Sequence, residues 1–282
     1  MPNQKITNRV VLITGASAGM GEAAAKLFYE KGYIVYAGAR RIEKMEHLQQ
    51  LGINTRYLDV TNTESIQSFV NEILQKEKRI DILINSAGYG SFGALEDVSP
   101  EEAKRQFDVN VFGAVNLTQL VLPTMREQRS GKIVNISSIG GQIYTPLGGW
   151  YYASKHALEA ISDTLRLEMK PFGVDVIIIE PGGTATEWQK VTNEHMLAAT
   201  SMDSPYRSLV EQFASIEETG FATSEDIAKL IYKSVTDRKP KTRYQLRFSE
   251  KLIVVLARKL PYKMFDRIML SQMKMLSKNK SQ

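Results

Sequence analysis

Short apolar runs alternate along this chain with longer stretches whose apolar positions recur at helical spacing. The runs cover residues 9–14, 33–38, 53–58, 81–84, 132–136 and 174–180, and most are rich in Val and Ile. Runs this short and this continuously apolar predict strands buried on both faces. Helical patterns fill the intervals at 22–31, 42–51, 64–78, 100–128 and 151–170. In 64–78, for example, Ile66, Phe69, Val70, Ile73 and Leu74 fall on one face. Strand and helix in strict alternation predict an α/β fold, a Rossmann-type doubly wound parallel sheet with right-handed crossovers. A further helix is expected at 224–237 and a last strand within 240–247, giving about seven strands in one domain. Residues 100–128 read as one long helix, with Ser99 as a cap candidate and Pro100 in the first turn. Asn110 lies inside its apolar face, beside Phe107, Val111, Phe112 and Val115. A buried amide needs partners; it either is satisfied in the core, holds a water or breaks a helical hydrogen bond.

The ends of the strands carry the polar residues that the pattern leaves unexplained. The first strand runs into Thr14-Gly15-Ala16-Ser17-Ala18-Gly19-Met20-Gly21 and then a helix. Glycines there let the backbone approach a phosphate, and a helix N-terminus favours an anion. The second strand ends at Ala39-Arg40-Arg41. An acid at this place would hold a ribose 2′-hydroxyl, whereas an arginine accommodates a 2′-phosphate. NADP(H) is therefore expected over NAD(H). The third strand ends at Asp59-Val60, the fourth at Asn85-Ser86-Ala87-Gly88, and the fifth at Ser137-Ser138. The sixth ends Pro181-Gly182-Gly183-Thr184-Ala185-Thr186. In a parallel sheet these ends converge on one crevice.

Within 138–155 the sequence is S-I-G-G-Q-I-Y-T-P-L-G-G-W-Y-Y-A-S-K. Tyr151 and Lys155 are one helical turn apart and share a face. A tyrosine titrates near pH 10, and a neighbouring cation is expected to lower that value. With the Ser138 hydroxyl to hold a substrate oxygen, the pair forms a proton-transfer device. Residues 187–220, with Trp188, Met196, Leu197, Tyr206 and Phe213, are irregular and follow a strand end, which suits a substrate lid. Tyr89, Phe92, Ile143, Tyr144, Leu147, Trp150 and Trp188 suggest a pocket for a bulky apolar ketone, aldehyde or alcohol.

Composition narrows the chemistry. The chain has 282 residues and no cysteine, which excludes disulfides, thiol catalysis and zinc held by thiolates. Its three histidines, His47, His156 and His195, are far apart and lack ligand-like partners, so no metal site is expected. No signal peptide is visible and no apolar run approaches the roughly 20 residues that span a bilayer, so a cytoplasmic location is expected.

The net charge of +5 is uneven: residues 238–282 hold 13 Lys/Arg and 2 Asp/Glu, and the remainder is net acidic. The division read from this is a catalytic domain over 1–247 and a basic amphipathic helical extension over 248–282. On a helical wheel Lys263, Arg267, Lys274 and Lys278 fall within about 60° of one another, opposite Phe265, Met269 and Met273. The preferred reading packs this helix on the body with its basic stripe solvated; the alternative lays it on an anionic membrane surface. No nucleic-acid motif accompanies the charge.

Taken together, these motifs resemble the short-chain dehydrogenase/reductase superfamily, over about residues 7–247. Thr14-Gly15-x-x-x-Gly19-x-Gly21 resembles its cofactor turn, and Asn85-x-Ala87-Gly88 its N-N-A-G segment with Ser86 in place of the second asparagine. Asn110, Ser138, Tyr151 and Lys155 match its catalytic tetrad. The thirteen-residue interval from Ser138 selects Tyr151 over Tyr152. Arg243, Tyr244 and the segment 265–269 look like a branch related to retinol, hydroxysteroid and acyl-dihydroxyacetone-phosphate reductases. The resemblance implies a reversible hydride transfer between a nicotinamide and a carbonyl or secondary alcohol. It implies contacts to the cofactor from Gly15, Ser17, Gly19, Met20, Gly21, Arg40, Asp59, Val60, Asn85, Ala87, Gly88, Tyr151, Lys155, Pro181, Gly182, Thr184 and Thr186. Asn110 would anchor a water joining Lys155 to solvent, and assembly as a homodimer or homotetramer is implied. An NAD-linked alcohol dehydrogenase and a non-catalytic NADPH sensor are the alternatives.

Overall fold

The computed structural model describes residues 8–184, 187–215 and 221–278, with side chains left aside at 187–191 and 272–278. Strand β1 (Val10–Thr14) is buried along its whole length. It is followed by helix α1 (Gly19–Glu30), β2 (Ile34–Ala39), a 3₁₀ turn at Ile42–Met45 and the short α2 (Glu46–Gln50). Next come β3 (Asn54–Tyr57), α3 (Thr63–Glu77) and β4 (Ile82–Asn85). The second half holds α4 (Pro100–Phe107), α5 (Ala114–Glu127), β5 (Gly131–Ile136), α6 (Gly149–Met169) and β6 (Val174–Ile179). After these come α7 (Glu187–Ala199), α8 (Arg207–Ala214), α9 (Ser224–Thr236), the two-residue β7 (Arg243–Tyr244), α10 (Phe248–Lys259) and α11 (Tyr262–Lys278).

The seven strands are parallel in the order β3-β2-β1-β4-β5-β6-β7. Alternate β1 residues face opposite sides, as the strand pleat requires. Val11 and Ile13 join Phe28, Ile227 and Ile231 from α1 and α9. Val10 and Leu12 join Phe69, Ile73, Leu117 and Val121 from α3 and α5. The chain proceeds outward from β1 to β3, then returns to place β4 on the other side of β1. Connections on the two sides of β1 diverge, and the gap between them is the place where such sheets bind ligands.

Three local features differ from the sequence reading. The helix expected over 100–128 is interrupted by a π-helical turn at Asp108–Gly113. Asn110 stands at its centre and is clamped from outside the helix, which favours the wider turn. The segment 187–220, expected to be irregular, contains α7 and α8. The last strand is shorter than expected, and Leu260 and Pro261 split the helical tail in two. Caps explain several of the boundaries. Ser99 accepts from Glu102 N at 3.2 Å, and Thr223 and Asp226 form a reciprocal capping box ahead of α9.

The C-terminal helices lie on the body. Val254, Phe265 and Met269 are buried with Ile143, and Tyr144 packs edge-on against Phe265 at 5.4 Å. Side chains of this size contribute roughly 1.5–3 kcal/mol each when fully buried, enough to hold the extension in place. Phe265 and Met269 of α11 are thus turned inward, on the side that the preferred sequence reading packed on the body.

Candidate active site

The turn after β1 is built for close backbone approach. Gly15 has φ of 70°, and a Cβ there would stand 2.8 Å from Ala87 N. A Cβ on Gly21 would stand 2.5 Å from Gly15 O. No side chain fits at either position without moving backbone. Thr14 joins this turn to the end of β4, its hydroxyl accepting from Ser86 N at 3.0 Å and Ala87 N at 2.9 Å. Between them opens a crevice of about 330 Å³ lined by Gly15, Ser17, Gly19, Met20, Gly21, Arg40, Arg41, Asp59, Val60, Ala87 and Gly88.

The placement of the residues expected at the reacting group or the cofactor varies. Arg41, the less favoured arginine, is the one whose Nη2 donates to Ser17 Oγ, at 3.3 Å. Asp59 Oδ1 is engaged by Thr61 N and Oγ1 at 2.9 and 2.8 Å. Asn85 does not line the crevice. Its amide turns into the sheet and donates to Asn135 Oδ1 at 2.8 Å and Thr118 Oγ1 at 3.1 Å, so it braces β4 against β5 and α5. Pro181 stands beside Ser138, Thr184 donates to Gly182 O at 3.3 Å, none of these three is on the crevice wall, and Thr186 lies outside the described residues. Arg105, Thr192 and His195 line the crevice without having been expected there; only contact between α4, α7 and the sheet brings them in.

Ser138, Tyr151, Lys155 and Asn110 come together from three separate elements: the end of β5, α6 and the π-turn. Ser138 follows β5; its Oγ accepts from Gly140 N at 3.0 Å, donates toward Pro181 O at 3.3 Å and is hydrogen-bonded to the Tyr151 hydroxyl. Tyr151 is buried and packs on Phe92, with ring centroids 5.2 Å apart. Lys155 Nζ donates to Ile136 O at 2.9 Å and lies 5.9 Å from the Tyr151 ring centroid. A Cβ on Gly88 would sit 3.7 Å from Lys155 Nζ, so the lysine underlies the floor of the crevice. Asn110 is clamped in the π-turn: its Oδ1 accepts from Tyr89 N at 3.0 Å, and its Nδ2 donates to Tyr89 O at 2.9 Å and Ser154 Oγ at 3.1 Å. Tyr152 is turned away, its hydroxyl 2.7 Å from Thr145 Oγ1.

The electrostatics correct one expectation. Burial pushes the Tyr151 phenol above its ordinary value, and only the Ser138 hydrogen bond pulls it down. Lys155 does not lower it, because Lys155 is itself desolvated: burial brings its ammonium down to about 8, against a partial pull upward from Glu159. At neutral pH the phenol is therefore protonated and the lysine is close to its titration point.

This has a consequence for stability. Between about pH 8 and 10.5 the unfolded chain keeps a proton on Lys155 that the folded chain has released, so stability should rise with pH across that window. The full effect is about 3 kcal/mol. In urea titrations at pH 7.5 and 10, Lys155→Met should lose most of this rise relative to the native chain. Equal pH dependence in both would contradict the burial of a charged Lys155.

The expected pocket residues divide. Phe92 and Leu147 pack on Tyr151 together with Met196 and Val210 from α7 and α8, and Phe213 stacks on Phe92 at 5.6 Å. Tyr89 lines the cofactor crevice. Ile143 is covered by the C-terminal helices, Tyr144 packs on Phe265 while staying exposed, and Trp150 meets Phe107 at 6.4 Å. The Trp188 side chain lies outside the described set.

The C-terminal extension also reaches the site with polar groups that no local pattern announces. Glu250, buried on α10, accepts from Gly182 N at 3.2 Å and Arg247 N at 2.9 Å. Arg258 donates to Gln142 Oε1 at 2.6 Å, and Gln142 Nε2 donates to Glu159 at 3.0 Å and Glu180 at 3.2 Å. Arg243 joins Glu159, Asp163 and Glu180 at 2.9, 2.7 and 3.1 Å. Burial, with Glu159 adding to it, pushes the Glu180 carboxyl up to about 7. The network ties the loop after Ser138 to the helix of Lys155, and each link joins residues distant in sequence. Among the described residues no group of three or more His, Asp or Glu side chains could hold a metal ion.

Comparison with known proteins places this geometry. Residues 9–197 match the family model of the short chain dehydrogenases. A 3-ketodihydrosphingosine reductase of Bacteroides thetaiotaomicron is 41% identical over 69% of this chain and 71% of its own length. An NADPH-dependent 3-dehydrocapnine reductase of Ornithobacterium rhinotracheale is 31% identical over 95% of this chain and 99% of its own. Among solved structures, a short-chain dehydrogenase from Streptomyces avermitilis superposes with a TM-score of 0.77 at 30% identity, covering 97% of this chain and 98% of that one.

Proposed function

The chain belongs to the short-chain dehydrogenase/reductase family of oxidoreductases, and from that premise we propose that it is an NADPH-dependent reductase of a bulky apolar ketone. The observation that carries this reading is the buried Ser138–Tyr151 hydrogen bond with Lys155 one helical turn away, set beside a glycine-lined crevice. The residues of that crevice fit a dinucleotide. Gly15 and Gly21 leave no room for a side chain, and Ser17, Arg40 and Arg41 present donors suited to a 2′-phosphate. Glycines 15, 19 and 21 would hold the pyrophosphate at the start of α1, and Asp59 and Val60 would border the adenine. When bound, the nicotinamide supplies the hydride.

The protein's own part is to polarise and to move a proton. Ser138 donates to the substrate carbonyl oxygen, which makes the carbon more electrophilic. Tyr151, held protonated by burial, transfers its phenolic proton to that oxygen as hydride reaches carbon. Lys155, beneath Gly88 on the crevice floor, would hold the nicotinamide ribose. Asn110 fixes the turn beneath Gly88 and Tyr89 and keeps Ser154 in register with the tetrad. Phe92, Leu147, Met196, Val210 and Phe213 surround Tyr151 with apolar surface, which suits an alkyl-rich substrate and excludes water. The relatives named for 3-ketodihydrosphingosine and 3-dehydrocapnine support a ketone as substrate, and the second supports NADPH. Self-association would use the face of the π-turn, α5 and α6, where Phe112, Ile161 and Leu167 are exposed.

The reading is tested by following NADPH absorbance with long-chain 3-keto compounds, retinoids, steroid ketones and acyl-dihydroxyacetone phosphates. Consumption with at least one apolar ketone, and faster with NADPH than NADH, is expected. Oxidation of alcohols with NAD alone would point instead to the NAD-linked dehydrogenase.

A further inference from the structure

The C-terminal extension buries one face and leaves a second face whose composition does not suit water. Six of the sixteen large apolar side chains exposed among the described residues fall between 248 and 270: Phe248, Leu252, Val255, Tyr262, Met264 and Leu270. Phe248 and Tyr262 are 78% and 79% exposed. On α10, Phe248, Leu252, Val255 and Lys259 lie within about 60° of one another at helical spacing. They stand opposite the buried Glu250 and Val254. This helix is therefore apolar on two faces, and packing on the body accounts for one.

The charges sort the same way. Of the two acids of the extension, Glu250 is buried and holds Gly182 N, and the half-buried Asp266 accepts from the Tyr144 hydroxyl at 3.0 Å. Lys251, Lys259, Lys263 and Arg267 are exposed. An outward surface of aromatic and aliphatic side chains interleaved with lysine and arginine, whose one partly exposed acid, Asp266, is engaged by Tyr144, is complementary to an anionic lipid bilayer. Apolar groups enter the acyl boundary while the basic ones meet the headgroups. A protein partner would be expected to present polar pairing groups for such a rim. No helix among the described residues is long and apolar enough to cross a membrane, so contact would be with the surface only.

We propose that the outward face of α10 and α11 docks this chain on the surface of an anionic bilayer, with Phe248, Leu252, Val255 and Tyr262 inserted and Lys251, Lys259, Lys263 and Arg267 over the headgroups. The residues concerned lie outside the tetrad and the crevice, so failure here leaves the oxidoreductase reading untouched.

The test is co-sedimentation of the full chain with vesicles of phosphatidylcholine alone and of phosphatidylcholine mixed with phosphatidylglycerol. Binding to the mixed vesicles only, reversed by high salt, is expected. Lys251→Glu, Lys263→Glu and Arg267→Glu together should weaken it by about tenfold or more. Phe248→Asp with Leu252→Asp should weaken it without changing the melting temperature, because these side chains leave the packed face intact. Light scattering without lipid provides the counter-test. No binding to mixed vesicles, or binding unchanged by both sets of substitutions, overturns the proposal. So does a dimer that Phe248→Asp with Leu252→Asp converts to monomer while the native chain ignores vesicles; the face would then join two copies.

Discussion

Tyr151→Phe is expected to lower kcat/KM for ketone reduction by about 10²- to 10⁴-fold, the usual contribution of a positioned proton donor. It should leave the dissociation constant for NADPH unchanged. The substitution removes one hydroxyl whose partner is Ser138, and Ser138 keeps Gly140 N and Pro181 O. The phenyl ring still packs on Phe92, so the melting temperature should move little. Tyr152→Phe is the control. It loses only the bond to Thr145, 2.7 Å away, and should keep most of the activity. Steady-state kinetics with cofactor titration by fluorescence reads both. Retained turnover in Tyr151→Phe, or loss confined to Tyr152→Phe, would reverse the assignment of the proton donor. Loss of activity accompanied by loss of NADPH binding would mean that the ring shapes the crevice and says nothing of proton transfer.

Arg40→Ala combined with Arg41→Ala should raise KM for NADPH by about 10- to 100-fold while changing KM for NADH little. A charge-assisted hydrogen bond contributes about 1.5–3 kcal/mol, and only the 2′-phosphate distinguishes the two cofactors at this end of the crevice. Both arginines line that crevice, and the 3.3 Å contact between Arg41 Nη2 and Ser17 Oγ preassembles one corner of the site. The single variants apportion the effect. Arg41→Ala is expected to cost at least as much as Arg40→Ala, since the contact to Ser17 belongs to Arg41. Equal weakening of NADPH and NADH would show that the arginines support the fold of the loop and do not read the phosphate.

The two variants probe residues that were legible in different degrees. Tyr151 and Lys155 could be paired from the sequence because one helix carries both, and helical periodicity is a local property. Arg40 and Arg41 could be placed at a strand end, but which one turns toward Ser17 depends on side-chain packing across 24 residues. Asn85 shows the same limit. Its position at the end of β4 was legible, yet its amide serves Asn135 and Thr118, which only the sheet brings near. The π-turn around Asn110 was masked because the apolar pattern of 100–128 continues through it. What widens the helix is the clamp by Tyr89 and Ser154.

By itself the sequence determined the alternation of strand and helix, the parallel sheet, the glycine turn and the residues that can carry proton transfer. These follow from burial on both faces of a strand, from the backbone room glycine alone provides, and from spacing within one helix. It also separated the basic tail from the acidic body. The tertiary structure decided what depends on desolvation and on distant partners. Burial, acting on both groups, raised Tyr151 and lowered Lys155, so the lysine does not tune the phenol as the pair alone suggested. Contact across the fold made Glu250 and Arg258 of the extension neighbours of Gly182 and Gln142. It also left the Phe248 face outward. A one-dimensional pattern shows that a helix is amphipathic, but which of its faces meets the body is set by the surface it packs against.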